Sequence, residues 1–121
     1  DTWYPIGNNP SHRLGTPALL AEYFGRVKKH AEDAGREPES ISLAYAAGWY
    51  DERSALETED GSRLILTGEP EQIAGDIVAL GEVGVKSIFI DVLGFGVDSP
   101  STTETAERMD FFTSEIRPLV G

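Results

Sequence analysis

The sequence predicts an α/β fold with a parallel sheet, read as the tail of a larger (β/α) barrel. Three observations carry that expectation. Strand-like apolar runs alternate with amphipathic helical stretches in the order β-α-β-α-β-α, and crossovers of that kind place each helix against the strands it joins. The chain opens on Asp1 rather than Met, and Asp1-Thr2-Trp3-Tyr4-Pro5-Ile6 already reads as a buried strand. A parallel sheet of three strands has two open edges and little to close it, which points to further strands beside it.

The first helix begins after Thr16, a good N-cap, with Pro17 at a position where its missing N–H costs nothing. Leu20, Tyr23, Phe24, Val27, Ala31 and Ala34 recur on one face, and Gly35 ends the helix. Pro38 and Ser40 lead into a strand over 41–47. A polar stretch from Asp51 to Ser62 follows, holding Asp51, Glu52, Glu57, Glu59 and Asp60. It reads as an acidic surface loop inserted at about residues 50–63, placed where an intact barrel would carry a lid. Arg63-Leu64-Ile65-Leu66 reads as a short strand or as an apolar loop packing down.

A second helix opens at Pro70 with Glu69 as its cap. Ile73, Ile77 and Leu80 form its buried stripe, with Ala74 beside them, and Gly84 ends it. The β-branched run over 85–92 is the strongest strand signal in the chain. Ser101 stands three residues before Glu104, a capping-box spacing. The helix behind it places Ala106, Met109, Phe112 and Ile116 on one face, with Pro118 as its terminator.

Bulk properties bound the function. With 121 residues the chain is one domain at most, and 40% hydrophobic content is ordinary for a globular protein. No apolar run approaches the ~20 residues of a membrane span, and no charged-then-apolar leader is present. The absence of Cys excludes disulfides, thiolate metal sites and Cys nucleophiles, and agrees with a cytoplasmic location. A net charge of −11 disfavours nucleic acid and anionic membrane surfaces, both of which require Lys and Arg at the contact.

In a barrel, chemistry sits at the C-terminal ends of the strands. That directs attention to Tyr4, Pro5 and Ile6, to Gly48 and Trp49, and to the segment opening at Asp91. Trp3 and Trp49 are candidates to wall an apolar cleft, with core or rim packing as the plainer role. Asp91, a carboxylate after an apolar strand, needs a partner: a ligand's polar group or the following turn. His12, in the loop after the first strand, is a weak candidate for proton transfer. His30, close to Lys28 and Lys29 near a helix C-terminus, fits a structural role against the helix dipole. The acidic cluster lacks calcium-loop spacing, and no zinc spacing, Walker sequence or Ser-His-Asp set is present.

Three segments, together with the ending of the chain, resemble one family. Asp1-Thr2-Trp3-Tyr4-Pro5 is similar to the Asp-Gly-Trp-x-Pro strand of the luciferase-like monooxygenases, which are flavin- and deazaflavin-dependent (β/α)8 barrel oxidoreductases. The stretch from Lys29 through Ala34-Gly35-Arg36-Glu37-Pro38 to Ile41 resembles that family's helix ending in Ala-Gly-Arg-Asp-Pro and its next strand. Thr67-Gly68-Glu69-Pro70-Glu71-Gln72-Ile73-Ala74 resembles the Gly-Thr-Pro-Glu-Gln-Val-Ala opening of the penultimate helix, and Glu115-Ile116-Arg117-Pro118-Leu119 the usual ending. Thr2 departs from the family's Gly.

The resemblance implies the last three of eight βα units of a TIM-type barrel of about 250 residues or more. It implies FMN or the deazaflavin coenzyme F-420 as cofactor of the intact enzyme, with a small-molecule substrate. This segment would give one wall of the cleft, from Trp3, Ile6, Gly48, Trp49 and Asp91. The family's Gly-rich phosphate segment and the strands that hold the ring lie upstream of such a segment. The isolated chain is therefore expected to bind no cofactor and to be inactive. Its partners are the remainder of the barrel or a second copy covering the sheet edges. Two other readings stay open: a non-catalytic, self-associating α/β module, and a small doubly wound domain with a ligand at its switch point.

Overall fold

The computed structural model describes residues 1–7, 13–47, 50–52, 54–90 and 101–121. Three strands, β1 (Thr2–Trp3), β2 (Ser42–Ala47) and β3 (Val85–Ile90), form one parallel sheet in the order β1-β2-β3. Helix α1 (Pro17–Asp33) joins the first two strands, and α2 (Pro70–Val83) leads into the third. Helix α3 (Thr102–Phe111) continues through a π-turn (Phe112–Ile116) into a last helical turn, α4 (Arg117–Val120). The α/β class with parallel strands is therefore the observed one. Among the described residues, no helix is long and apolar enough to cross a membrane.

The helix starts follow from their caps. The Thr16 hydroxyl accepts the Leu19 N–H at 3.3 Å, satisfying one of α1's orphan donors. Glu69 and Gln72 exchange side-chain and backbone hydrogen bonds at the start of α2, and Ser101 and Glu104 do the same for α3. Gly84 alone connects α2 to β3. It turns at φ +115°, a conformation that a side chain would strain.

The central strand is buried on both faces, but the two faces differ. Leu43, Tyr45 and Ala47 point into one continuous core with Leu20 and Phe24 of α1, Ile73, Ala74 and Leu80 of α2, and Ile116 of the π-turn. All the helices among the described residues thus gather on one side of the sheet. A doubly wound domain needs helices on both sides; among the described residues that arrangement is not seen.

The register fixes what lies on the other side. Ile6 pairs with Ala46, and Ala46 with Phe89, so these three share one row on the face away from the helices. Ala44 and Ser87 form the row below. Ile6 and Phe89 are 56% and 57% exposed, and Tyr4, also on this side, is 53% exposed. Among the described residues this face carries Tyr4, Ile6 and Phe89 towards the C-terminal ends of the strands and the small polar Thr2, Ser42 and Ser87 below them, with Ala44 and Ala46 between.

Three details depart from the sequence reading. β1 is ladder-paired only at Thr2 and Trp3, with an isolated bridge at Ile6, because Pro5 has no N–H to give. Pro118 does not end the last helix. It lies inside α4, where the preceding π-turn shifts the hydrogen-bond register and the missing N–H is not needed. Ala106 and Met109 face solvent, whereas Arg108 turns inward, because a buried carboxylate awaits it there.

Candidate functional site

The sequence-derived candidates divide by position. Trp3 lies on the helix-covered side, stacked on Phe24 with ring centroids 6.1 Å apart. Its surroundings are those of a packing residue. Ile6 lies on the uncovered face at the C-terminal end of β1, where a barrel would carry its cleft. Trp3 and Ile6 belong to opposite faces of the sheet and meet only at its edge, where both border a groove along β1. His12, Gly48, Trp49 and Asp91 lie outside the described residues.

The described groups nearest the C-terminal end of β2 form a network that the sequence reading did not identify. Arg108 of α3 donates to the Glu52 carboxylate from Nε at 3.2 Å and from Nη2 at 3.1 Å. The same Nη2 donates to the Tyr50 carbonyl at 2.7 Å. Both side chains of the ion pair are about nine-tenths buried. The Arg108 guanidinium also lies 5.3 Å from the centre of the Tyr50 ring, and Phe112 meets that ring edge-on at 5.9 Å. The network ties α3 and the π-turn to the residues that follow β2.

Tyr50 is almost wholly buried, and among the described residues no group completes a well-formed hydrogen bond to its hydroxyl, with the Glu52 carboxylate beside it. Burial first, and then the Glu52 carboxylate, pushes the phenol well above its ordinary range. It is a neutral group at any physiological pH. Tyr45 is raised in the same direction by burial and by the Asp76 charge, but its hydroxyl donates to the Leu14 carbonyl.

The acidic insert is ordered from within. Glu57 bridges Arg63 in antiparallel fashion, and Asp51 bridges Thr67 in parallel. The Asp60 carboxylate accepts from the Thr58 hydroxyl and the Ser62 N–H, which together hold it down at about 2. The tetrapeptide over 63–66 is the apolar loop rather than a strand. Ile65 and Leu66 are fully buried, and Leu66 adopts φ +60°, which is rare for a residue with a side chain.

A second buried pair holds that turn. Arg63 donates from Nη1 to Asp76 Oδ2 at 2.9 Å and from Nη2 to Oδ1 at 2.6 Å. Asp76 Oδ2 also accepts the Leu66 N–H at 2.7 Å, and Arg63 Nη1 donates to the Thr67 carbonyl at 2.6 Å. The available signal in the sequence was Asp76 itself, a carboxylate between Ile73 and Leu80 on the buried stripe of α2. An acid in that position requires a cation beside it.

Both arginine–carboxylate pairs spend their charge on each other and on backbone groups. They position chain segments, and neither presents a free acid or base. Among the described residues, no three His, Cys, Asp or Glu side chains converge as metal ligands. No family model matches the chain, and no curated protein matches it.

Proposed function

We propose that this chain is the C-terminal three-unit segment of a (β/α)8 barrel oxidoreductase resembling the luciferase-like monooxygenases. The observation that supports it best is the one-sided sheet. Among the described residues, all helices lie with Leu43, Tyr45 and Ala47, while Tyr4, Ile6 and Phe89 stand exposed on the other face. Parallel sheets are normally covered on both faces. A barrel does this with helices outside and the inward side chains of the other strands inside, in layers. Consecutive strand order with helices on one side is the topology a barrel requires.

On this reading β1, β2 and β3 are the last three barrel strands. Their C-terminal ends contribute one wall of the cleft, with Ile6 as its described member. FMN or coenzyme F-420 would supply the redox chemistry in the complete enzyme, and the segment would shape the space beside it. The Arg108–Glu52 and Arg63–Asp76 pairs fix the loops behind that wall.

The test is titration of the complete native polypeptide with FMN and with F-420, read by cofactor fluorescence. Saturable binding of one of them supports the proposal. A complete polypeptide that binds neither overturns it.

A further inference from the structure

The acidic insert stands where a barrel would carry a lid, but its bonding is that of a strap. Its tip is self-contained. The Thr58 N–H donates to the Ser62 carbonyl at 2.7 Å and the Leu64 N–H to the Leu56 carbonyl at 2.7 Å, closing a short hairpin over 56–64. Glu57, Glu59 and Asp60 on it face solvent. The leg that follows, over 63–67, is anchored to α2. Asp76 grips the Arg63 guanidinium and the Leu66 N–H, and Arg63 in turn holds the Thr67 carbonyl. Ile65 and Leu66 fill the core beneath.

The anchored leg meets the loop that leads into α1. The Ile65 N–H donates to the Gly15 carbonyl at 3.1 Å. The carbonyl before it, on Leu14, accepts the Tyr45 hydroxyl of β2, and the Leu14 N–H donates to the Gly7 carbonyl at 2.9 Å. Gly15 is buried, and its φ lies outside the left-handed range, so the backbone does not require glycine there. The space does. A Cβ on residue 15 would stand 2.9 Å from Leu64 Cδ1 and 3.1 Å from Thr58 Cγ2, inside the roughly 3.5–4.0 Å at which carbon atoms pack.

From this we infer that residues 63–67 are a fixed strap, seated on Gly15, that ties the loop leading into α1 to helix α2. The apolar leg of the insert carries this role, and the acidic tip is dispensable to it. An exposed ion pair, Arg13 with Glu59 at 3.4 Å, joins the tip to the same loop. A pair so open to solvent holds little at physiological salt. That the strapped loop borders a cleft rests on the barrel reading; the strap does not.

Hydrogen exchange at single amides of the 121-residue chain, read by NMR, tests this, because a lid opens locally and a strap does not. The Ile65 and Leu14 amides report the strap, and the amides of β2 and β3 report the fold as a whole. In the parent chain Ile65 and Leu14 should exchange within about tenfold of the β2 amides. Gly15→Ala, which puts one methyl into the seat, should speed both by about fivefold or more while the strand amides hold. Asp76→Asn, which loosens the anchor and leaves the seat intact, should produce the same selective change. Replacing residues 58–62 by Asn-Gly, a two-residue hairpin turn, should leave both amides within about twofold of the parent. Parent exchange at Ile65 and Leu14 faster than that tenfold margin is the behaviour of a lid and overturns the inference. So does a Gly15→Ala chain in which neither amide moves or every amide moves alike, or a tip replacement that frees the two amides as Gly15→Ala does. A native polypeptide no longer than this chain would defeat the barrel reading and leave this result standing.

Discussion

Arg63 and Asp76 meet edge to edge, with two short N–H···O contacts of 2.9 and 2.6 Å, on the stripe of α2 that otherwise buries Ile73 and Leu80. The pair does more than neutralise itself, because Asp76 also holds the N–H of Leu66 in its left-handed turn. Removing the carboxylate with Asp76→Ala leaves a half-buried guanidinium and an orphaned amide. The expected cost is about 2–3 kcal/mol, at the low end for a buried pair because Arg63 keeps some contact with water. Asp76→Asn, which keeps an acceptor, should cost less. Urea unfolding of both variants checks the order.

The two buried tyrosines make a matched pair. Tyr45 loses a real hydrogen bond to the Leu14 carbonyl on change to Phe, and about 1 kcal/mol of stability should go with it. Tyr50 completes no well-formed bond of that kind among the described residues, so Tyr50→Phe should be neutral or stabilising. Equal losses in the two variants would refute the assignment.

The same residues set the alkaline limit. Both phenols are raised in the folded chain, so they stay protonated there after the unfolded chain has begun to ionise near pH 10. Their contribution is fully present below that pH and is lost as pH rises above it. Stability should fall by up to ~1.4 kcal/mol per pH unit for each tyrosine. The double variant Tyr45→Phe, Tyr50→Phe should flatten the decline, as denaturation curves between pH 9 and 12 would show.

Phe89 should behave differently in two settings. More than half exposed in this chain, it can become Ser at a cost of roughly 0.5 kcal/mol or less. Inside a closed barrel the same change would remove a packed aromatic side chain and cost about 3 kcal/mol or more. Measuring Phe89→Ser in the 121-residue chain and in the complete polypeptide separates the two environments.

Much of the fold was legible from local chemistry. Thr16-Pro17, Glu69-Pro70 with Gln72, and Ser101 with Glu104 mark helix starts through hydrogen bonds that need only neighbours in sequence. Gly84 marks a stop for the same reason. What periodicity could not give was the partner across space. Met109 fits an apolar stripe, but Arg108 is the residue turned inward, because Glu52, 56 positions earlier, lies beneath it. Pro118 reads as a terminator until a π-turn makes its missing N–H irrelevant. The candidate site was legible only in outline: Ile6 stands on the open face, whereas Trp3 is turned to the helices because its strand neighbour in register is the core residue Leu43.

The central claim is that Ile6 and Phe89, exposed on either side of Ala46, are covered by further strands of one polypeptide. The most direct test is the mass of the native polypeptide that carries this sequence, read from cells with an antibody raised against α1 and confirmed by intact mass spectrometry. The account predicts a chain of roughly 250 residues or more. A native polypeptide of 13.1 kDa would contradict it.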